Sequence, residues 1–411
     1  MIRASAIQTP SPRVKPFLRA ALLGLAALAL ASCGGLSKMG GLLSDNSAEE
    51  APIAAPAEPE VQGSGVRVAL LLPLTAPGDT GDIATGMKQA AELALIDAGG
   101  SGVTLITKDT LGTAEGAAAA ATQALDEGAA LIIGPLLGSE VQAVAPLAQA
   151  RQVPVVAFSS SSNVAGNGVY LMSFLPEEEV SNIIRYASEN GLTKVAGLLP
   201  KSQYGAVVER AFLQSAQQRG VTVSGIARFP RTAQAMVDPS RETVGIVNDA
   251  GRGVQALLIA EGGPMLNSLG VNLKAVGFDP TRVKLLGTGL WDNRDTSGIP
   301  LAAGGLYAGV SPDMVKRFDD RYGQQYFGKP NRIASLAYDA VSLSIILARN
   351  PAGQQFTQSA LTNREGFQGV NGLFRFRDNG LIERGLAILQ VMPGSAPQVI
   401  APAPERFAPG T

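Results

Sequence analysis

Four consecutive serines, Ser159 to Ser162, follow the apolar stretch VPVVAF (Val153 to Phe158), and Gly138-Ser139 follows soon after another, ALIIGP (Ala130 to Pro135). Hydroxyls and backbone N–H groups at a helix N-terminus hold an anion by hydrogen bonds and dipole, with no full cation needed. Ser139, Ser159, Ser160 and Ser161 are therefore candidates to grip an anionic group, provided both loops lie at strand ends. A serine run also serves as a solvated turn or a helix cap, so placement decides its meaning.

The chain of 411 residues contains no histidine and a single cysteine, Cys33. That removes Ser-His-Asp and Cys-His catalysis, His-ligated zinc and any imidazole switch. Paired carboxylates, a Ser-Lys pair or a carboxylate metal site remain formal options, and a hydrolase built on carboxylates is the weakest reading. Asp79, Asp82 and Asp109 could meet as a cation site, but caps and turns account for each, so neither metal nor cofactor is expected. GRGVQA (Gly251 to Ala256) fits a dinucleotide pattern, yet it leads from helix into strand, the reverse of what phosphate binding requires. Basic and acidic residues nearly balance, 33 against 34, with no basic run beyond the N-terminus, which argues against nucleic acid. FRFR (Phe374 to Arg377) reads as an edge strand with one face in water.

The elements that must position these residues begin after an unusual N-terminus. Arg3, Arg13, Lys15 and Arg19 precede the uncharged run Ala20 to Ala31. A basic region followed by a short apolar run makes an export signal and is too short to span a bilayer. The run ends in Leu30-Ala31-Ser32-Cys33, which resembles the lipobox of bacterial lipoproteins. The resemblance implies cleavage before Cys33, acylation of its sulfur and of its new amino group, and a membrane anchor. An ordinary signal peptide with a fortuitous cysteine is the competing reading. Gly34, where an Asp would resemble an inner-membrane retention signal, points to the periplasmic face of the outer membrane. Residues 34–65 are rich in Gly, Ala, Pro, Ser and Glu and cannot bury enough apolar surface to offset their chain entropy, so they read as a disordered tether.

From Val66 onward, apolar strands alternate with helical patterns. VRVALLLPL, GVTLITKD, ALIIGP and VPVVAF read as strands, separated by helices opening near Asp82, Thr113 and Ser139. The rhythm repeats with KVAGLLP, VTVSGIARF, ALLIAE and VKLLGTG, then two helices, near Asp313 to Phe327 and Asn331 to Ala348. A hairpin follows in GLFRFRDNGLIERGLAILQV, turning at Asp378-Asn379-Gly380. Strict alternation implies parallel sheets, and one sheet would be too broad for so many strands. Two α/β lobes are expected, with breaks near Phe174 and Leu306 to Ser311. A ligand in such a pair sits between the lobes, at the carboxyl ends of the strands.

LLPLTAPGDTG, LIDAGG, TLITKDT, IIGPLLGSEVQAVAPLAQARQVPVVAFSSSS and KSQYG, in this order and spacing, resemble the type I periplasmic binding proteins of the leucine/isoleucine/valine-binding group, from about Val66 to Val391. The resemblance implies two Rossmann-like lobes, a hinge of three crossovers and closure around a small ligand. On that reading residues 1–32 are the signal peptide, 33–65 the lipidated cysteine and linker, 66–174 with 312–363 lobe I, 175–311 with 364–395 lobe II, and 396–411 a Pro/Ala-rich tail. It further implies that an amino-acid carboxylate is held at Gly138-Ser139 and Ser159 to Ser161. Tyr204 would pack on the ligand from the second lobe, and Glu261 is a further second-lobe site position. A core tyrosine and a solvated strand end are the plain alternatives for these two.

In the amino-acid binders a glutamate after a strand resembling VKLLGTG pairs with the ligand's ammonium. Here that stretch is GTGLWDN (Gly287 to Asn293), with no acid at the expected place; either Asp292, a few residues on beside Trp291, substitutes for it, or the pocket does not take an α-amino acid. A second resemblance is to the C-terminal domain of the lipoprotein activator of penicillin-binding proteins. It implies an envelope adaptor docking on a peptidoglycan synthase. Against it stand a tether spanning only ~30 Å and the lack of an N-terminal helical-repeat domain. The leading reading is a non-catalytic lipoprotein that binds a small polar ligand, an amino acid or a peptidoglycan-derived molecule, in uptake or sensing.

Overall fold

The computed structural model describes residues 65–100 and 102–407. Cys33, the export segment and the tether lie outside the described residues.

The first lobe alternates β1 (Val66–Leu72), α1 (Asp79–Ala98), β2 (Val103–Asp109), α2 (Ala114–Asp126), β3 (Leu131–Ile133), α3 (Gly138–Ala150), β4 (Val155–Ala157) and β5 (Val169–Leu171). Its sheet runs in the order β2-β1-β3-β4-β5 with every pair parallel. Parallel pairing needs a crossover between successive strands, and the intervening helices provide it. Val68 to Leu72 are wholly buried because helices cover both faces of β1. Thr113 caps α2 through its side-chain oxygen, which accepts the Gly116 N–H at 3.0 Å. Helix α1 starts at Asp79, after Gly78, so Asp82 is a first-turn acid rather than the expected cap.

The second lobe contains α4 (Pro176–Glu189), β6 (Lys194–Pro200), α5 (Gln203–Arg219), β7 (Thr222–Phe229), α6 (Val237–Asn248), β8 (Ala256–Ile259), α7 (Gly263–Ala275), β9 (Lys284–Gly287) and β10 (Leu306–Gly309). The chain then builds α8 (Pro312–Tyr326), α9 (Ala334–Leu347), the short α10 (Gln358–Leu361), β11 (Phe367–Gly369), β12 (Gly372–Phe376) and β13 (Ile382–Arg384). It closes with β14 (Ala387–Gln390) and β15 (Gln398–Ala401). The second sheet runs β15-β14-β10-β9-β8-β6-β7. Neighbouring residues of one strand serve opposite cores: Leu198, Leu257 and Leu285 pack on one face, Leu199, Leu258 and Leu286 on the other. That is the period-two geometry of strands buried on both sides.

Helices α8 and α9 return to the first lobe, where Arg321 and Tyr338 both bind Asp97 of α1, at 2.6 and 3.1 Å. The chain therefore crosses between lobes after β5, after β10 and after β13. The last of these crossings moves an expected boundary. Phe367, Phe374, Phe376 and Ile382 belong to the first lobe's core, so residues up to Arg384 pack there, and the second lobe takes the chain again from Leu386. The hairpin does turn where expected, with Gly380 at φ 80° and Arg377 donating to the Leu381 carbonyl at 2.8 Å. FRFR is not a wetted edge, because Arg375 is only 7 % exposed and forms a 2.8 Å ion pair with Glu383. Four further strands sit where none was expected: β5, β10 in a stretch assigned to the hinge, β11, and β15 in the Pro/Ala-rich tail.

Candidate functional site

In the first lobe the candidate serines lie at the carboxyl ends of β3 and β4. Gly134, which leads out of β3, has φ 93°, and a Cβ there would lie 2.1 Å from the Leu71 carbonyl oxygen, so only glycine fits. The loop is braced by Glu140, fully buried, which accepts the Leu137 N–H at 3.0 Å and the Thr110 hydroxyl at 2.5 Å. Burial raises its pKa above the ordinary carboxylate value. A Cβ on Gly138 would lie 3.4 Å from both Ser159 Oγ and Ser161 Cβ, so the start of α3 meets the serine loop directly. Ser159 is buried and its Oγ accepts the Ser161 N–H at 3.2 Å, while the Ser161 hydroxyl donates to Asn163 at 2.9 Å. Ser139 and Ser160 are exposed on the same two loops. The first-turn N–H groups of α3 have no acceptor within the helix, which makes this meeting point an anion receptor in kind.

In the second lobe Tyr204, in the first turn of α5, shares a 2.7 Å hydrogen bond with the buried Thr288 hydroxyl. Burial, reinforced by the nearby charges of Glu179 and Glu261, raises its pKa. Glu179 is the residue that sequence reasoning missed. Its carboxylate accepts the Gly289 N–H at 2.8 Å, and a Cβ on Gly289 would fall 2.0 Å from its Oε1. An acid from α4 thus stands against the GTGLWDN loop, which has none at the place where the resemblance implies one. Burial pushes the Glu179 pKa up to about 7, with the Gly289 hydrogen bond and Arg332 pulling down and Asp292 and Glu177 pushing up. The run Glu177-Glu178-Glu179 after Pro176 was the available signal. Acids also favour the first turn of any helix, and that ordinary reading concealed it. Glu178 serves the hinge instead, pairing at 2.9 Å with Arg377.

Glu261 is 2 % exposed and bound bidentately by Arg231, at 2.9 and 3.2 Å, and its backbone carbonyl accepts the Trp291 indole N–H at 2.9 Å. Trp291 is buried in the second lobe's core, against Gly287 and Gly305, where a Cβ would come within 2.1 and 2.5 Å of the ring. Asp292 pairs with Arg332 at 3.2 Å and takes a long 3.5 Å hydrogen bond from the Tyr307 hydroxyl. Arg332 lies between α8 and α9, so this ion pair ties the second lobe to the first. Its guanidinium also stacks 4.1 Å over Phe174 in the first crossover. The structure thus brings Tyr204 beside Glu179 and Thr288, gives Glu261 an arginine of its own, and commits the Asp292 charge to Arg332. Among the described residues no three acids or cysteines gather as a metal site, and no helix is long and apolar enough to cross a membrane.

Two α/β lobes, one sheet parallel and the other parallel but for β14 and β15, three crossovers and polar loops at the strand ends are the architecture of a two-lobed small-ligand receptor. The chain belongs to the periplasmic binding protein family, whose family model matches residues 65–396. The fold is shared with a putative branched-chain amino acid ABC transporter from Rhodospirillum rubrum, at 20 % identity and TM-score 0.70, covering 82 % of this chain and 100 % of that one. It is also similar to the branched-chain amino acid binding protein LivJ from Streptococcus pneumoniae in complex with isoleucine, at 17 % identity and TM-score 0.55, covering 82 % and 100 %. A solute binding protein from Rhodopseudomonas palustris in complex with 3,4-dihydroxybenzoic acid matches at 18 % identity and TM-score 0.56, covering 83 % and 99 %. No curated protein matches the chain.

Proposed function

We propose that this chain is a lipid-anchored binding protein, attached to the membrane through Cys33, that takes a small zwitterion such as an amino acid between its lobes. The ligand's carboxylate would lie against Gly138, Ser159 and Ser161, and its cationic group against Glu179, with Tyr204 beside it. The placement of the Glu179 carboxylate over Gly289 carries this reading, because it restores an acid to the loop whose own acid is missing. A cation would also relieve the burial that raises the pKa of Glu179, so ligand and carboxylate stabilise each other. The isoleucine and dihydroxybenzoic acid bound by two relatives both carry a carboxylate, consistent with a first-lobe anion grip and a second lobe that sets the rest.

The test is the melting temperature with amino acids, short peptides and muropeptides, each in excess. A ligand at a hundred times its dissociation constant adds about 2.7 kcal/mol. A shift with one class, lost in both Ser161→Ala and Glu179→Gln, is the expected result. A flat panel from the folded protein overturns the proposal and directs attention to the adaptor reading, with a peptidoglycan synthase as partner.

A further inference from the structure

Away from the cleft between the lobes, α8, α9 and the turn from β11 to β12 enclose a crevice of about 410 Å³. Sites for small molecules run from roughly 300 to 1,000 Å³ and are mostly apolar with a few placed polar groups. The walls here are Met314, Phe318, Tyr338 and Val370, with Phe318 and Tyr338 edge to face at 5.7 Å. The floor is Asp339, 1 % exposed, whose two oxygens already accept the Val370 N–H at 2.7 Å and the Asn371 amide at 2.8 Å. At the rim Arg317 and Arg321 stand one turn apart on α8. Arg321 is engaged by Asp97, whereas Arg317 is exposed and makes no hydrogen bond or ion pair among the described residues.

A second, smaller cavity of about 20 Å³ lies on the other side of Phe318 and Val370, lined by Asn331, Arg332 and Ser335. It is large enough for one water, and the buried Oδ1 of Asn331 that accompanies it accepts no hydrogen bond. Asn371, next to the crevice wall, accepts from Ser335 at 3.1 Å and from Arg332 at 3.4 Å. Arg332 in turn holds Asp292 of the second lobe. The crevice wall is therefore two residues removed from the ion pair that joins the lobes.

We propose that this crevice is a second ligand site, for a small monoanion with an apolar body such as an aryl carboxylate. The acid pairs with Arg317 at the rim, and the body lies between Met314, Phe318 and Tyr338. A cation would meet two arginines at the entrance and a floor whose carboxylate is already satisfied, and a wholly polar ligand would leave the walls unfilled. An occupant presses on Val370-Asn371 and so bears on the Arg332–Asp292 contact, which makes the site a natural modulator of lobe closure.

The test is fluorine NMR of 4-fluorophenylacetate with the full chain, against the neutral 4-fluorophenylacetamide. Expected are saturable broadening with the acid, roughly fivefold to tenfold weaker binding in Arg317→Glu, weaker binding of the amide, and loss of binding in Ser342→Phe, which fills the crevice. The cleft variant Ser161→Ala with Glu179→Gln should bind the probe like the wild type. Absence of saturable binding overturns the proposal. So does binding that survives Arg317→Glu but vanishes in the cleft variant, since the probe would then occupy the cleft. Arg317 is exposed, so its variant keeps the test decisive even if Ser342→Phe fails to fold.

Discussion

Replacing Glu179 by Gln tests the second-lobe site at its centre. The amide oxygen can still accept the Gly289 N–H, so shape and hydrogen bond survive while the charge is removed. Folding moves this carboxyl from 4.5 to about 7, chiefly by burial. The folded protein therefore holds the proton more tightly than the unfolded chain. Between those values it binds more protons, so stability falls as pH rises through the window and stays lower above it. The full shift corresponds to ~3 kcal/mol, and partial solvent access to the side chain reduces this to ~1–2 kcal/mol. Gln carries no such penalty. At pH 8 the ligand-free variant should melt ~2 °C above the wild type for a body of this size, and at pH 4 the two should coincide. Glu178, also pushed up to about 7, titrates in the same window but cancels in the difference between the two proteins. Calorimetry of both proteins across this range is the assay. A difference independent of pH, or a variant less stable at pH 8, would refute the idea that Glu179 is a carboxyl held out of water.

Gly289→Ala would place a methyl 2.0 Å from Glu179 Oε1; it should cost ~1–3 kcal/mol in urea denaturation, abolish any ligand-induced melting shift, and become nearly harmless in a Glu179→Ala background. Additive losses would contradict the contact. Arg384 is 2 % exposed, donates to the Ser173 carbonyl at 3.1 Å, and offsets the charge of buried Asp339. Arg384→Ala should destabilise by ~3–5 kcal/mol, and adding Asp339→Asn should recover part of it; no recovery would mean the two do not interact. Trp291, the only tryptophan, should emit as a buried indole and shift to the red when the second lobe unfolds. Trp291→Ala should cost ~3–5 kcal/mol, and emission typical of an exposed indole in the folded protein would contradict its place in the core.

Most of the architecture was legible because the signals are local and redundant. A buried parallel strand such as VRVALLL is apolar on both faces, and helices such as Ala114–Asp126 carry their own cap and periodicity. Some strands of three or four residues were not legible, VYL of β5 and LYAG of β10 among them, because so short a stretch shows no period, whereas the apolar runs ALIIGP and VPVVAF marked β3 and β4. The placement of β11–β13 escaped for another reason. Phe374 and Phe376 announce that one face is buried, but nothing in an apolar alternation says against which lobe. Arg375 misled because its charge looks like a wetted face until Glu383 is set beside it across the strand pair.

For the site, the sequence alone determined the loops that end β3 and β4, since a strand's carboxyl end and the next helix's start are both encoded nearby. It also determined that no imidazole chemistry operates, while the resemblance to the amino-acid binders implied an acid after β9 at a place where this chain has none. Only the tertiary structure decided which acid stands over that gap. Glu179 and Gly289 are 110 positions apart, and Asp292 finds Arg332 across the lobes. Such pairings arise when strands are ordered out of chain sequence, β10-β9-β8-β6, and helices from distant segments converge on one edge. Short-range periodicity reports which way a side chain faces along its own element. It carries no record of what the fold brings opposite, and a charge buried in a cleft is defined by that opposite partner.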